Sequence, residues 1–179
     1  MRPTLIVAGC TRSGMTMTMQ MLHAGGVPVQ GEFPAFEPYD IGTIPWSQVR
    51  GTAVKMVDAH LHLTPAGSYR VLLTTRNIVQ QAMSMTKFLR AAGFILGVDQ
   101  KRVRSSIERD VATIRNWAEL QESMLHLPFE ATLADPNGTA GKIRDFIGPE
   151  YSLDVERAAA AVISRSPKCY PGMMETRWL

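Results

Sequence analysis

Short apolar runs alternate with longer stretches of helical periodicity along most of the chain. Thr4–Ala8 is a mostly apolar run ending on Gly9, and it reads as a buried parallel strand. Met15–His23 is apolar-rich, free of glycine and proline, and stops at Gly25-Gly26, which predicts a helix with a glycine terminus. Val27–Trp46 is broken by prolines and glycines and reads as loop. Ala53–Val57 and Arg70–Thr75 read as further strands, and Asn77–Ala92 as a helix. From Asp99 to about Leu125, apolar residues recur at helical steps (Val103, Ile107, Val111, Ile114, Trp117, Leu120), predicting one long helix with a single buried stripe. Leu127–Glu130 is a short strand. Asp135-Pro136 opens a helix, with aspartate as cap and proline at the first helical position, and that helix stops at Gly148-Pro149. Asp154–Ile163 is a last helix, and Ser164–Leu179 is irregular.

Strands alternating with helices imply an α/β three-layer sandwich, a central parallel sheet flanked by helices. Ligands of such sheets lie beyond the carboxyl ends of the strands, here Gly9–Met15, Val57–His60 and Thr75–Asn77. At 179 residues, 45% hydrophobic and 20% charged, the chain fits one globular domain over residues 1–179 and excludes disorder as its main state. No apolar run reaches the roughly 20 residues that span a bilayer. The short N-terminal apolar run is a poor signal peptide, so the expected compartment is the cytoplasm, with no membrane partner. The net charge of +3 is spread along the chain without a basic run, which argues against nucleic acid. Arginine greatly outnumbers lysine, which suits forked binding of a small phosphate-like anion. Two cysteines make neither a disulfide framework nor a CxxC site. His60 and His62 would share one face of a strand, but no third ligand completes a zinc set, so no metal is expected.

Gly9-Cys10-Thr11-Arg12-Ser13-Gly14-Met15-Thr16 joins the first strand to the first helix with the spacing of a phosphate-binding loop, GxxxxGK[ST]. In such a loop backbone N–H groups converge on an anion and the helix N-terminus adds its dipole. The lysine position holds Met15, and the cation has moved to Arg12 inside the loop. A kinase or nucleotide hydrolase needs that lysine on its β/γ-phosphates. A small nucleotide or metabolite kinase is therefore an alternative that Met15 opposes, and a non-catalytic nucleotide-binding protein is the other.

These residues resemble the sulfotransferase family. Its 5′-phosphosulfate loop reads Pro-[Arg/Lys]-Ser-Gly-[Thr/Ser]-[Thr/Ser], and Thr11–Thr16 matches at Arg12, Ser13, Gly14 and Thr16. Its 3′-phosphate motif is a strand, then Arg-Asn-Pro-x-Asp, then a serine; here Val71–Asn77 supplies the opening, and Ser84 falls eight residues after Arg76. Leu127–Pro136 resembles the family's Tyr-Glu-Asp-Leu-x-x-Asp-Pro, and Ile143–Gly148 its helix ending in Phe-Leu-Gly. The three blocks span residues 4–148 in the family's order.

The resemblance implies transfer of a sulfuryl group from 3′-phosphoadenosine 5′-phosphosulfate (PAPS, leaving PAP) to a hydroxyl or amine of a small-molecule or carbohydrate acceptor, without metal. Arg12, with the N–H groups of Ser13, Gly14, Met15 and Thr16, would hold the 5′ end, and Arg12 would stabilise the bridging oxygen. Arg76 and Ser84 would hold the 3′-phosphate. Phe129 is core or an adenine contact. The histidine that many members carry two residues after a strand-end lysine is absent, because Lys55 is followed by Met56 and Val57. Lys55 would contact the sulfuryl group or simply edge the sheet. The segment Val27–Pro34 resembles the arrangement of some bacterial carbohydrate sulfotransferases, which places the general base at Glu32, ahead of His60 and then Glu37. Arg165 and Lys168 sit near the family's basic closing loop. The acceptor would be read by Val27–Trp46 and by the region around Gly93–Gly97.

Overall fold

The computed structural model describes residues 2–37, 44–93, 99–121 and 123–169. Four parallel strands form the sheet: β1 (Thr4–Gly9), β2 (Ala53–Val57), β3 (Tyr69–Thr75) and β4 (Met124–Pro128), in the order β2-β1-β3-β4. The helices are α1 (Met15–Ala24), α2 (Ile78–Ala91), α3 (Gln100–Glu119), α4 (Phe129–Ala134), α5 (Pro136–Ile147) and α6 (Val155–Ala160). Alternation along the central strand creates two cores. Leu5 and Val7 face a cluster with Met15, Met19 and Met21 of α1, Ile143 and Ile147 of α5, and Ala158 of α6. Ile6 and Ala8 face the other way, with Val54, Met56, Val71 and Leu73, against Ile114 and Ala118 of α3. The α/β sandwich with its central parallel sheet is therefore the observed architecture. Among the described residues no helix is long and apolar enough to cross a membrane.

The strands Ala53–Val57 and Arg70–Thr75, the helix α1 and the Asp135 cap fall where the sequence places them. Asp135 accepts from the Gly138 N–H at 2.8 Å. The long helix does not run to Leu125. It ends at Glu119, Leu120 is 86% exposed rather than part of the stripe, and Met124 and Leu125 pair with Val71 and Leu72 of β3. Helical spacing continues by coincidence into Met124–Pro128, where alternation and the open edge of β3 decide for a strand. That strand stops at Pro128, and Phe129 and Glu130 begin the short helix α4. The last helix ends at Ala160, leaving Ile163 exposed. His60 and His62 do not lie on a strand: Asp58 turns the chain into the left-handed region at φ 48°, and a 3₁₀ turn, Ala59–Leu61, follows.

Candidate functional site

The chain runs outward from β1 to β2 and then crosses back to β3, so its direction reverses between β1 and β3. A crevice opens beyond the carboxyl ends of strands at such a reversal. The loop after β1 and the turn after β3 line it.

The first wall is the loop Cys10–Gly14. Its backbone takes positive φ at Arg12 (70°) and at Gly14 (115°), turns of the kind that gather N–H groups into an anion-binding concavity. The amides that open α1 have no earlier helical carbonyl to bond, the arrangement that suits an anion at a helix N-terminus. Ser13 braces this loop. Its N–H donates to the Cys10 carbonyl (3.1 Å) and its hydroxyl meets that of Thr74 (2.7 Å), which also reaches the Ala8 carbonyl (3.2 Å). A Cβ on Gly9 would lie 2.4 Å from both hydroxyls, so only glycine admits this lock. Met15 contributes its backbone alone, because its side chain is buried in the α1 core.

Cations converge on the loop from two sides. Arg12 donates from Nε to Ser84 Oγ on α2 (3.1 Å), and its guanidinium lies 5.7 Å from the Phe88 ring centroid. Lys55 reaches over from β2 and donates to the Thr16 hydroxyl (3.2 Å), the Ala35 carbonyl (2.6 Å) and Glu37 Oε1. The lysine missing after Gly14 thus has a counterpart from the neighbouring strand. The Lys55 side chain is 2% exposed and that of Glu37 64%. Burial pushes the Lys55 pKa down; the bond to Glu37 opposes this and the Arg12 charge adds to it, so the two cations feel each other.

The second wall is built after β3. Asn77 caps α2, accepting from the N–H groups of Val79 and Gln80. Arg76 lies 4.4 Å from the centroid of Phe129 and donates to the Pro167 carbonyl (3.1 Å), while Arg165 lies 5.5 Å from the same ring. The Phe129 ring also closes on the phosphate loop, since a Cβ on Gly14 would come within 2.9 Å of it. Phe129 is buried under these neighbours and acts as a plate between the two walls. The tail folds back here as well, with the Cys169 N–H donating to Gln80 Oε1 (2.6 Å).

The structure brings Arg12, Ser13, Gly14, Thr16, Lys55 and Ser84 together at the loop, and Arg76 with Phe129 beside it. Ser84 sits on Arg12 rather than on Arg76. Glu32 is exposed on the turn Gly31–Phe36, its carbonyl accepting from the Phe36 N–H (2.8 Å), whereas Glu37 is the carboxylate joined to Lys55. His60 lies on the β2 side with Asp58, His62, Asp110 and Cys10. There burial and then Asp110 raise the Asp58 pKa, while the two histidines oppose the rise. Burial, Asp58 and Asp110 push the Cys10 thiol up to about 12, which favours the protonated, packed thiol. Among the described residues no three His, Cys, Asp or Glu side chains converge as a metal-binding group. Residues 38–43 and 94–98, in the two segments expected from the sequence to read an acceptor, and 170–179 of the tail lie outside the described residues.

Sequence reasoning missed Gln81. Its side-chain amide donates to the Thr11 carbonyl at 2.8 Å from a fully buried position on α2. The available signal was its spacing, one helical turn before Ser84 and two before Phe88, on one face of α2.

Fold and site together define an α/β protein with a loop of phosphate-binding spacing at the switch point of a parallel sheet. No family profile matches the sequence, and no curated protein matches it. Among solved structures the chain is similar to one described as "retinol dehydratase in complex with androsterone and inactive cofactor PAP", at a TM-score of 0.54 and 17% identity. The match covers 90% of this chain and 64% of that one. At this identity the likeness shows the fold alone, an α/β sandwich around a parallel sheet.

Proposed function

We propose that this protein binds PAPS across the β1/β3 crevice and transfers its sulfuryl group to a hydroxyl or amine of a small-molecule or carbohydrate acceptor. The observation that carries this reading is the pair of cationic walls. One is Arg12 with Lys55 at the loop; the other is Arg76 with Arg165 on the Phe129 plate. A donor with a phosphosulfate at one end and a 3′-phosphate at the other needs two such sites, and the solved protein of similar fold holds PAP.

The strand order supports one orientation of the donor. Arg76 lies on the β3/β4 side and Lys55 on β2, so the reacting end points toward β2. There the acceptor oxygen attacks sulfur, the bond from sulfur to the bridging oxygen breaks, and the electron pair stays on the 5′-phosphate of PAP. Arg12 stabilises that developing charge, Thr16 donates its hydroxyl to the 5′-phosphate, and Lys55 meets the sulfuryl oxygens. The proton of the acceptor goes to a carboxylate or imidazole on the same side. Of Glu32, His60 and Glu37, the contact with Lys55 favours Glu37.

The test has two stages. PAP should raise the melting temperature more than 5′-AMP or MgATP does, because a ligand selective for the native state stabilises it by mass action. A larger shift with MgATP overturns the donor assignment in favour of a kinase. Radiolabelled PAPS is then offered with panels of phenols, sugars and amines, and Glu37→Gln, Glu32→Gln and His60→Gln are compared on any acceptor found. Loss of a general base lowers turnover roughly 10²–10⁴-fold with PAP affinity kept. Tight PAP binding with no transfer to any acceptor makes the protein a nucleotide-binding one.

A further inference from the structure

Arg12 is a non-glycine residue at φ 70°, a sparsely populated conformation that persists only where its surroundings impose it. Ser13 imposes it from the sheet side, through Cys10 and Thr74. From the other side comes Gln81, a fully buried side chain whose Nε2 donates to the carbonyl of Thr11 at 2.8 Å. Burying a primary amide costs free energy, and of its two polar atoms only Nε2 is used, on Thr11, while the buried Oε1 has no hydrogen-bond partner among the described residues. The peptide between Thr11 and Arg12 is planar and trans, so its C=O and N–H point in opposite directions. Holding the carbonyl on Gln81 therefore fixes where the Arg12 N–H points. Ser84 and Phe88, on the same face of α2, then receive the Arg12 side chain.

We propose that Gln81 is the positioning residue of the anion-binding loop: it holds the Thr11 carbonyl from α2 and so sets the direction of the Arg12 N–H and of the Arg12 side chain toward a ligand's 5′-phosphate. The part of this that concerns the ligand rests on the donor reading above; the part that concerns the loop does not. The residue touches no substrate. It couples the wall after β3 to the loop after β1, because α2 begins at the Asn77 cap beside Arg76 and carries Gln81 one turn later.

Three variants test it. Gln81→Leu keeps the volume and removes the donor, Gln81→Met is a second apolar replacement, and Gln81→Glu keeps the shape. By titration calorimetry Gln81→Leu should weaken PAP and 5′-AMP by the same factor, on the order of tenfold, since both carry the 5′-phosphate. Gln81→Glu should be as weak near pH 8, where its carboxylate faces a carbonyl oxygen. Relative to wild type it should recover as the pH falls toward about 5.5, because a protonated carboxyl has an O–H to give to Thr11. A residue that merely fills space would show no such recovery. In the ligand-free protein, the Ser13 amide should exchange with deuterium faster in Gln81→Leu than in wild type, with the melting curve still cooperative. Wild-type affinity for both ligands in Gln81→Leu and Gln81→Met, or unchanged Ser13 exchange, overturns the proposal. Loss for PAP alone assigns Gln81 to the 3′ end and overturns it too. If wild type binds neither ligand, the donor reading fails, and the exchange measurement alone decides whether Gln81 sets the loop.

Discussion

Arg76 offers the sharpest separation of the two anion sites. Its guanidinium lies against the Phe129 ring at 4.4 Å and gives one N–H to the Pro167 carbonyl at 3.1 Å, so it is held in place from both sides before any ligand arrives. Replacement by alanine removes the stacking, worth about 0.5–2 kcal/mol, and the hold on the tail. Both losses fall on the ligand-free protein and lower its melting temperature. On the nucleotide the effect is selective. A charge-assisted contact to phosphate contributes about 1.5–3 kcal/mol, so PAP should bind Arg76→Ala roughly 10- to 150-fold more weakly. The 5′-AMP molecule lacks the 3′-phosphate and should lose less than about threefold. Arg76→Lys keeps the charge but not the fork and should fall between. Titration calorimetry at constant ionic strength near 0.15 M keeps screening equal across the series. Equal losses for PAP and 5′-AMP would refute the assignment, because they would mean that Arg76 acts through the tail or the fold and not on a 3′-phosphate.

Two further outcomes follow from the same site. Gly14→Ala places a side chain at φ 115° and a Cβ 2.9 Å from the Phe129 ring, so it should cost on the order of 1–3 kcal/mol, lower the melting temperature by roughly 3–10 °C and weaken PAP; an unchanged melting curve counts against the described loop. Lys55 has its pKa lowered by burial, and an unfolded lysine keeps its proton to about pH 10.4, so the unfolded state holds more protons just below that pH. Stability should therefore rise with pH in that alkaline window, an anion at Arg12 and Lys55 should drive proton uptake there, and Lys55→Met should abolish both. Calorimetry in two buffers of different ionisation enthalpy reads the uptake, and equal uptake in Lys55→Met removes Lys55 from the site.

Much of this arrangement is written locally in the chain. The strand at Thr4–Gly9, the glycine-bounded turn and the helix after it are short-range features, as are the Asp135 cap and the Asn77 cap, so periodicity and cap chemistry reach them. Arg12, Thr16, Arg76 and Ser84 could be named in the sequence because they match the motifs of the family it resembles, at the loop after β1 and in the turn and helix after β3. What stayed hidden depends on contacts between distant residues. Helical spacing cannot tell that Met124 and Leu125 complete the edge of β3, and no local pattern shows that Lys55 crosses to Thr16 or that Ser84 faces Arg12. Glu32 and Glu37 stand in the same proline-rich segment, and only the path of the turn at Gly31–Phe36 decides which of them meets Lys55. Gln81 reads as an ordinary helix residue until the Thr11 carbonyl is seen above it.

Helix α1, which follows the loop after β1, is seated on thioethers. Met15, Met19 and Met21 anchor α1 in one core, and Met17 is buried as well. Unbranched sulfur side chains adapt to irregular gaps, and so they hold the helix against the sheet without fixing one packing solution. The same chemistry makes the seat vulnerable. Conversion of one of these sulfurs to a sulfoxide puts a polar, chiral oxygen into a buried apolar cluster. The displaced element would be α1, whose first amides border that loop, so on the donor reading peroxide damage to a buried residue would register at the mouth of the crevice as lost anion affinity.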